Sequence, residues 1–166
     1  MKIQLEEYSH KWIIAFEKEK YFLEEKIGRW LIGKIEHVGS TAVPGMLAKP
    51  VIDIMFGVED LVSSKEAIPV LSNNGYCYYP YKPEIMHWFC KPAPDYRTHH
   101  LHLVPYKSDL WIERIRFRNI LRRNKTIADE YSALKRQLAK DLADDREAYT
   151  EKKWPFIQRV LSSDCQ

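Results

Sequence analysis

Asp53 is the residue whose chemistry is least expected from its surroundings, because it lies inside the apolar run Val51–Val58. Taking a carboxylate out of water is costly unless a metal ion, a cation or several hydrogen bonds compensate its charge. A catalytic or metal-binding role is one interpretation. The other is a structural aspartate that pairs with Lys49 or caps a neighbouring helix.

A Gly-Ser-Thr turn precedes this run at Gly39, Ser40 and Thr41. Glycine allows the backbone to approach a ligand closely, and successive turn amides with a hydroxyl group can hold phosphate oxygens. Lys49, between the turn and the apolar run, would add a point charge to such a site. An ordinary turn between two strands explains the same residues without a ligand, so both interpretations stay open.

Three histidines extend the candidate site. His100 and His102 are two residues apart in an expected strand, so their side chains share one face of the sheet. Together with Asp53 and with His37, beside the Gly-Ser turn, they could hold a divalent metal such as Mg²⁺, Mn²⁺ or Zn²⁺. Structural histidines are the alternative, since sequence alone does not show that these strands are neighbours.

Arginines recur in the segment RIRFRNILRRNK, where Arg114, Arg118 and Arg122 are spaced to share one helix face. This face is either a solvated basic surface or a clamp for nucleotide phosphates, because the guanidinium fork matches phosphate oxygens. The sequence lacks the G-x-S-x-G elbow, the Walker motif, G-x-G-x-x-G and H-E-x-x-H. The enzyme classes that depend on those motifs are therefore set aside.

Composition indicates a soluble globular protein. The chain has 166 residues, a net charge of +3 and a pI near 8.6, which suits an anionic small molecule and does not favour nucleic acid. Cys77, Cys90 and Cys165 show no C-x-x-C spacing. The N-terminus has no export-signal pattern, and no stretch approaches the roughly 18 apolar residues that span a bilayer. We expect one domain over residues 1–166, in a reducing cytoplasm and without a membrane partner.

Apolar periodicity predicts the elements that position these residues. Trp12, Phe16, Leu23 and Ile27 recur at helical spacing and predict an amphipathic helix. Strands are expected at residues 34–38, 51–58, 76–79, 87–90 and 98–104, with a short helix after Ser64 and a Pro-rich loop before the last strand. From Ser108 onward the pattern is helical, with a start, kink or break expected at Pro155. This order predicts an α+β domain with a small mixed sheet and a helical C-terminal portion.

The stretch IEHVGSTAVPGMLAKPVIDI, which contains the Gly-Ser turn and Asp53, resembles the GrpB family of small bacterial proteins. The segments WIIAFEKEK, HLHL, FRNILRRN, YSALKRQLA and YTEKKWPFIQRV match in the same order over nearly the whole chain. The resemblance implies a nucleotidyltransferase-type fold. It also implies transfer of a nucleoside monophosphate to a hydroxyl group, with two Mg²⁺ ions held by carboxylates.

In that fold the resemblance places the phosphate-binding turn at Gly39-Ser40 and one metal-binding carboxylate at Asp53. The first carboxylate of the expected Asp-x-Asp pair falls at Val51, which cannot bind a metal. The acid of the later strand falls at His100 or His102. The two-metal arrangement is therefore incomplete in this sequence, and this puts ordinary nucleotidyl transfer in doubt.

These observations support three hypotheses for function. The first is a nucleotidyltransferase-like protein with Asp53 as the catalytic residue and a divalent metal. Its nucleotide or other phosphorylated small molecule would be bound by Gly39, Ser40, Thr41, Lys49 and Arg118, and its metal by Asp53, His37, His100 and His102. The second is a nucleotide- or phosphate-binding module without catalysis. The third is a mononuclear metal-dependent hydrolase.

Overall fold

One mixed sheet of five strands organises the fold. The structure is a computed structural model that describes residues 2–163. The strands are β1 (Ile35–Val38), β2 (Ile52–Val58), β3 (Cys77–Tyr79), β4 (His87–Ala93) and β5 (Tyr96–Pro105). They are ordered β1-β2-β5-β4-β3, with β2 and β5 parallel at the centre and the other neighbours antiparallel. The edges of the sheet are therefore β1 and β3.

Five helices accompany the sheet: α1 (Lys11–Ile27), α2 (Ala67–Ser72), α3 (Asp109–Arg123), α4 (Lys125–Asp141) and α5 (Arg146–Ser163). Side-chain caps mark the starts of α3 and α4. Ser108 Oγ accepts the backbone N–H of Trp111 at 3.5 Å before α3, and Asn124 Oδ1 accepts that of Ile127 at 3.1 Å before α4. Within residues 2–163, no helix has the length and apolar character needed to cross a membrane.

The two faces of the sheet carry different layers. On one face, α1 and α2 pack against the apolar side chains of β2 and β5, and Ile54, Phe56, Leu101 and Leu103 are fully buried there. On the other face, α3 packs over part of the sheet through Trp111 and its neighbours, and α4 and α5 pack on α3. The C-terminal helices therefore enclose the second face.

The α+β class, the mixed sheet and the helical C-terminal portion are confirmed, and the four apolar residues predicted for α1 are buried. The expected Pro-rich loop is mostly strand, because β4 continues to Ala93 and β5 begins at Tyr96. β3 pairs with β4 only as far as Cys90, so beyond that residue a proline costs no hydrogen bond to β3. Of the start, kink or break expected at Pro155, the start and the break are absent, since α5 runs from Arg146 to Ser163 through this residue.

Candidate functional site

Asp53 lies near the start of the central strand β2, on the sheet face that the C-terminal helices enclose. In the register it is opposite Val38 of β1 on one side and His100 of β5 on the other. Its Oδ1 is 3.3 Å from His100 Nδ1 and 3.3 Å from His102 Nε2. Burial alone would raise the pKa of Asp53, but the hydrogen bonds from the two rings hold it well below the ordinary value. Asp53 is therefore an ionised carboxylate, and its side chain keeps 29% exposure.

The two histidines that bind Asp53 each leave one ring nitrogen unused. Burial lowers the pKa of His102 to about 4, although the hydrogen bond to Asp53 opposes the shift, so this ring is neutral at pH 7. His102 Nδ1 and His100 Nε2 are buried and have no hydrogen-bond partner within residues 2–163. A buried ring nitrogen without a protein partner marks a place for a water molecule or a ligand atom.

The Gly-Ser turn lies directly against the Asp53 carboxylate. Gly39 has a φ of +73°, and a Cβ atom built on it would be 2.6 Å from Asp53 Oδ2. Only glycine fits this position, both for its backbone conformation and for the space available. The Ser40 hydroxyl next in the chain accepts a hydrogen bond of 2.8 Å from Lys135 Nζ. The turn is therefore fixed between a carboxylate on β2 and a lysine on α4.

Lysine side chains from three separate segments converge beside this turn. Lys135 is 2% exposed and also donates to the Leu47 carbonyl oxygen. Lys49 and Lys153 both lie over the ring of Tyr149, with Nζ at 5.0 and 4.6 Å from the ring centroid. Such contacts stabilise an ammonium group on the face of an aromatic ring.

The charges of these lysines are mutually unfavourable. Burial, followed by repulsion from neighbouring lysines, lowers the pKa of Lys135 and of Lys153 to about 7. Burial also lowers the pKa of Lys49, and Asp53 opposes the shift at Lys49 and Lys153. Arg114 of α3 adds its positive charge near Lys153 and His102. We call Lys49, Arg114, Lys135 and Lys153 the basic site; its neighbouring carboxylate is Asp53.

Sequence reasoning missed two of these lysines, although a local signal exists. Lys135 and Lys153 each follow a tyrosine by four residues, in Tyr131-Ser-Ala-Leu-Lys and Tyr149-Thr-Glu-Lys-Lys. Residues four apart share a helix face, and each ammonium lies over its own tyrosine, at 4.8 Å for Tyr131 and 4.6 Å for Tyr149. Both tyrosines are buried. A lysine at this spacing from a buried aromatic residue therefore lies on the buried side of its helix.

His37 does not join the other expected metal ligands. It is opposite Ile54 in the register, so its side chain lies on the sheet face that packs against α1. Its ring stacks on Phe16 at 4.7 Å, and its Nε2 lies 2.9 Å from Thr41 Oγ1. Thr41 in turn donates to the Val51 carbonyl oxygen and is 2% exposed. The structure thus gives His37 and Thr41 packing contacts away from the Asp53 carboxylate.

Arg118 was expected to bind phosphate, but its guanidinium donates hydrogen bonds to other residues of the protein. Its Nη1 donates to Glu36 Oε2 at 2.6 Å and to the His37 carbonyl oxygen at 3.0 Å. Its Nε and Nη2 donate to Asn119 Oδ1 at 3.1 and 3.0 Å. Because the Arg118 side chain is 9% exposed and all three guanidinium nitrogens donate hydrogen bonds within the protein, Arg118 joins α3 to β1.

Comparison with known proteins places this arrangement in a family. The sequence model described as GrpB protein matches residues 2–163. The chain belongs to the GrpB family. It is 36% identical to the glutamate-rich protein GrpB of Alkalihalophilus pseudofirmus, over 93% of this chain and 91% of the relative. It is 32% identical to a UPF0157 protein of Deinococcus radiodurans, over 91% of this chain and 76% of that protein.

Solved structures show the same fold. The crystal structure of conserved protein GrpB from Enterococcus faecalis matches with a TM-score of 0.86 at 32% identity, over 96% of both chains. The structure of the GLD-2/RNP-8 complex matches with a TM-score of 0.54 at 12% identity, over 91% of this chain and 58% of that chain. GLD-2 has a nucleotidyltransferase-type fold. This GrpB protein therefore has the fold that its sequence predicts.

The donors of this GrpB protein do not fit the two-metal arrangement of that fold. Asp53 Oδ1 is already hydrogen-bonded to two imidazole rings, His37 lies on the opposite face, and Val51 supplies no donor side chain. In the part of the chain from residue 2 to 163, no three His, Cys, Asp or Glu side chains are grouped to hold a metal ion. These residues therefore do not support a mechanism with two bound metal ions.

Proposed function

We propose that this GrpB-family protein binds the phosphate groups of a nucleotide or another phosphorylated small molecule at the basic site. The observation that carries the proposal is the pair of ammonium groups, Lys49 and Lys153, over the single ring of Tyr149. Lys135 and Arg114 add two further cations, whereas the Asp53 carboxylate opposes the lowered pKa of both Lys49 and Lys153.

An anion with several oxygens would relieve the repulsion within this cluster. Both ammonium groups lie within 5.0 Å of one ring centroid. Burial lowers the pKa of both lysines, and repulsion from Lys49 lowers that of Lys153 further. A phosphate chain between them would make charge-assisted hydrogen bonds to both and favour their protonated forms. Ser40 of the Gly39-Ser40 turn is hydrogen-bonded to Lys135 of the basic site, and the backbone N–H groups of this turn would donate to a further phosphate oxygen.

A titration with inorganic tripolyphosphate tests this proposal. Lys153→Met should weaken binding roughly tenfold to a hundredfold, because it removes one charge-assisted contact. Lys152→Met is the matched control, since Lys152 is its exposed neighbour on α5. Isothermal titration calorimetry, with and without EDTA, measures both variants and the wild type. Equal affinities for the two variants would contradict the assignment, and loss of wild-type binding in EDTA would require a metal in the site.

The pH dependence of the same titration gives an independent check. The pKa of Lys153 is about 7 before ligand binds, so its ammonium is largely formed at pH 6 and largely lost at pH 8. Binding at pH 8 must restore a proton, which weakens affinity up to about tenfold for each pH unit above the pKa. Affinity for tripolyphosphate should therefore fall from pH 6 to pH 8 in the wild type. The fall should be smaller in Lys153→Met.

The nucleoside part of the ligand is tested by comparing ATP and adenosine with tripolyphosphate. If ATP binds more tightly than tripolyphosphate, the protein also recognises the nucleoside. Equal affinities would restrict the proposal to the phosphate chain. Adenosine alone should bind weakly, because the four cations of the basic site act on phosphate.

Nucleotidyl transfer is a second candidate function. It is supported by the ionised Asp53 beside the Gly39 turn, within a nucleotidyltransferase-type fold. In this reaction an acceptor hydroxyl attacks the α-phosphorus and gives its proton to the Asp53 carboxylate. The bond from the α-phosphorus to the oxygen that bridges to the β-phosphate breaks, and pyrophosphate is released. The test is pyrophosphate release from each nucleoside triphosphate with Mg²⁺, Mn²⁺ or Zn²⁺. Release abolished by Asp53→Asn would support transfer, and no release from any of them would leave binding as the function.

We place this function in the bacterial cytoplasm. The relatives named above are bacterial proteins. Cys77 and Cys90 are free thiols in the folded chain, which is the usual state of cysteines in a reducing compartment.

A further inference from the structure

Cys77 and Cys90 form a pair of thiols at one edge of the sheet. Cys77 on the edge strand β3 is directly opposite Cys90 on β4. Directly opposed residues of antiparallel strands have Cα atoms about 4.5–5.5 Å apart and side chains on the same face. That separation lies within the range of roughly 4.4–6.8 Å that a disulfide requires. The strand register therefore satisfies the main geometric condition for a bond between the two sulfur atoms.

The two thiols interact and differ in exposure. Both side chains lie in the same apolar cluster, and Cys77 contributes to the raised pKa of the Cys90 thiol. Cys77 is partly exposed, and its Sγ donates to the Pro92 carbonyl oxygen at 3.6 Å, whereas Cys90 is 1% exposed. Burial, with a further contribution from Cys77, raises the pKa of the Cys90 thiol. An oxidant from solution consequently reaches Cys77 first, and Cys90 is the protected partner.

We propose that a hydroperoxide oxidises this pair reversibly to a cross-strand disulfide between Cys77 and Cys90. The Cys77 thiolate attacks the outer peroxide oxygen, the O–O bond breaks, and the products are a Cys77 sulfenic acid and the alcohol or water from the peroxide. The Cys90 sulfur then attacks the Cys77 sulfur, the S–O bond breaks, and water leaves with the Cys90 proton. A dithiol restores both thiols by exchange and is itself oxidised to a disulfide.

The position of the pair gives the modification a structural consequence. The disulfide would join the edge strand β3 covalently to β4, which only three residue pairs connect in the register. Cys90 is also directly opposite His100, whose ring contacts Asp53. The modified residue thus lies one strand from the candidate functional site. The modification itself requires no ligand, so it stands independently of the proposed phosphate binding.

Peroxide treatment followed by mass spectrometry tests the proposal. With hydrogen peroxide, the wild-type monomer should lose two hydrogens and two titratable thiols, and a Cys77–Cys90 peptide link should appear. Dithiothreitol should reverse all three changes. Cys165→Ser is the matched control, because Cys165 lies outside the described residues, and this variant should behave as the wild type does.

Two further variants distinguish the pair from unrelated oxidation. Cys77→Ser alters a partly exposed position and should remain folded, so it supplies the decisive comparison even if Cys90→Ser folds poorly. Neither variant should form an intramolecular link. The proposal is overturned if wild-type Cys77 accumulates as sulfinic acid while Cys90 stays reduced. It is also overturned if the only disulfide found joins two chains.

Discussion

Replacement of Lys135 by methionine should change how the stability of the protein depends on pH. Lys135 is fully buried on α4, where its ammonium donates to Ser40 Oγ and to the Leu47 carbonyl oxygen. Burial, together with the charges of Lys153 and Lys49, lowers its pKa from 10.5 to about 7. The unfolded chain therefore binds a proton at pH values where the folded protein does not.

The size and sign of the effect follow from these two pKa values. The pKa of Lys135 is lower in the folded protein, about 7, than in the unfolded chain, 10.5. The charged lysine therefore destabilises the folded protein fully below about pH 7, and this destabilisation disappears as the pH rises through 10.5. With 1.36 kcal/mol for each pKa unit, Lys135 costs about 4 kcal/mol of stability at pH 7 and about 2 kcal/mol at pH 9. The wild type should therefore gain about 2 kcal/mol relative to Lys135→Met over this interval.

Urea denaturation at pH 7, 8 and 9 measures the difference in unfolding free energy between the two proteins. Lys135→Met also removes the hydrogen bonds to Ser40 and Leu47. This loss shifts the difference in unfolding free energy by the same amount at every pH and does not change its slope against pH. Lys140→Met, at an exposed position on the same helix, should show no change of slope relative to the wild type. A difference between wild type and Lys135→Met that is flat from pH 7 to pH 9 would refute the lowered pKa of Lys135.

Two further predictions concern the turn and the contact between β1 and α3. Gly39→Ala should lower the unfolding free energy by on the order of 2 kcal/mol more than Gly45→Ala. Both glycines have positive φ, but only the Cβ at Gly39 would meet Asp53, so equal urea midpoints would contradict the close approach. Arg118→Met should cost about 3 kcal/mol, because it leaves Glu36 without its buried partner. Adding Glu36→Gln should recover part of that loss in a double-mutant cycle, and a purely additive result would show that the pair is not coupled.

Much of the fold could be predicted because it depends on local pattern. The spacing of Trp12, Phe16 and Leu23 identified α1, and the apolar run around Asp53 identified the central strand β2. The prediction of a loop at the Pro-rich segment was wrong, because the conformation of this segment depends on strand pairing and not on its composition. β4 and β5 pair along their length, and Pro92 is accommodated where β3 no longer accompanies β4.

The sequence predicted only those parts of the candidate site whose residues lie close together in the chain. Gly39 and Asp53 lie in the same short segment, and the antiparallel pairing of β1 with β2 brings them together. The position of His37 depends on the register, because a shift of one residue would place its ring on the other face. Lys135 and Lys153 approach from α4 and α5, and only the packing of those helices on the sheet decides where their ammonium groups lie.

If the basic site binds phosphate as proposed, its own cations replace part of the charge that carboxylate-bound metal ions would supply. Carboxylates in a nucleotidyltransferase-type fold serve to hold cations, and the cations then neutralise the phosphates. Here valine stands at position 51 and histidine at position 100, so Asp53 is the carboxylate that remains. Lys49 and Lys153 lie near Asp53, and their protonated forms supply positive charge without a metal ion. A site with fewer carboxylates holds fewer metal ions. A site with more ammonium groups needs fewer metal ions to balance the charge of the phosphates.

Restoring aspartate by Val51→Asp should therefore weaken tripolyphosphate binding in EDTA and strengthen its dependence on Mg²⁺. Unchanged affinity in EDTA would show that position 51 does not act on the bound phosphate.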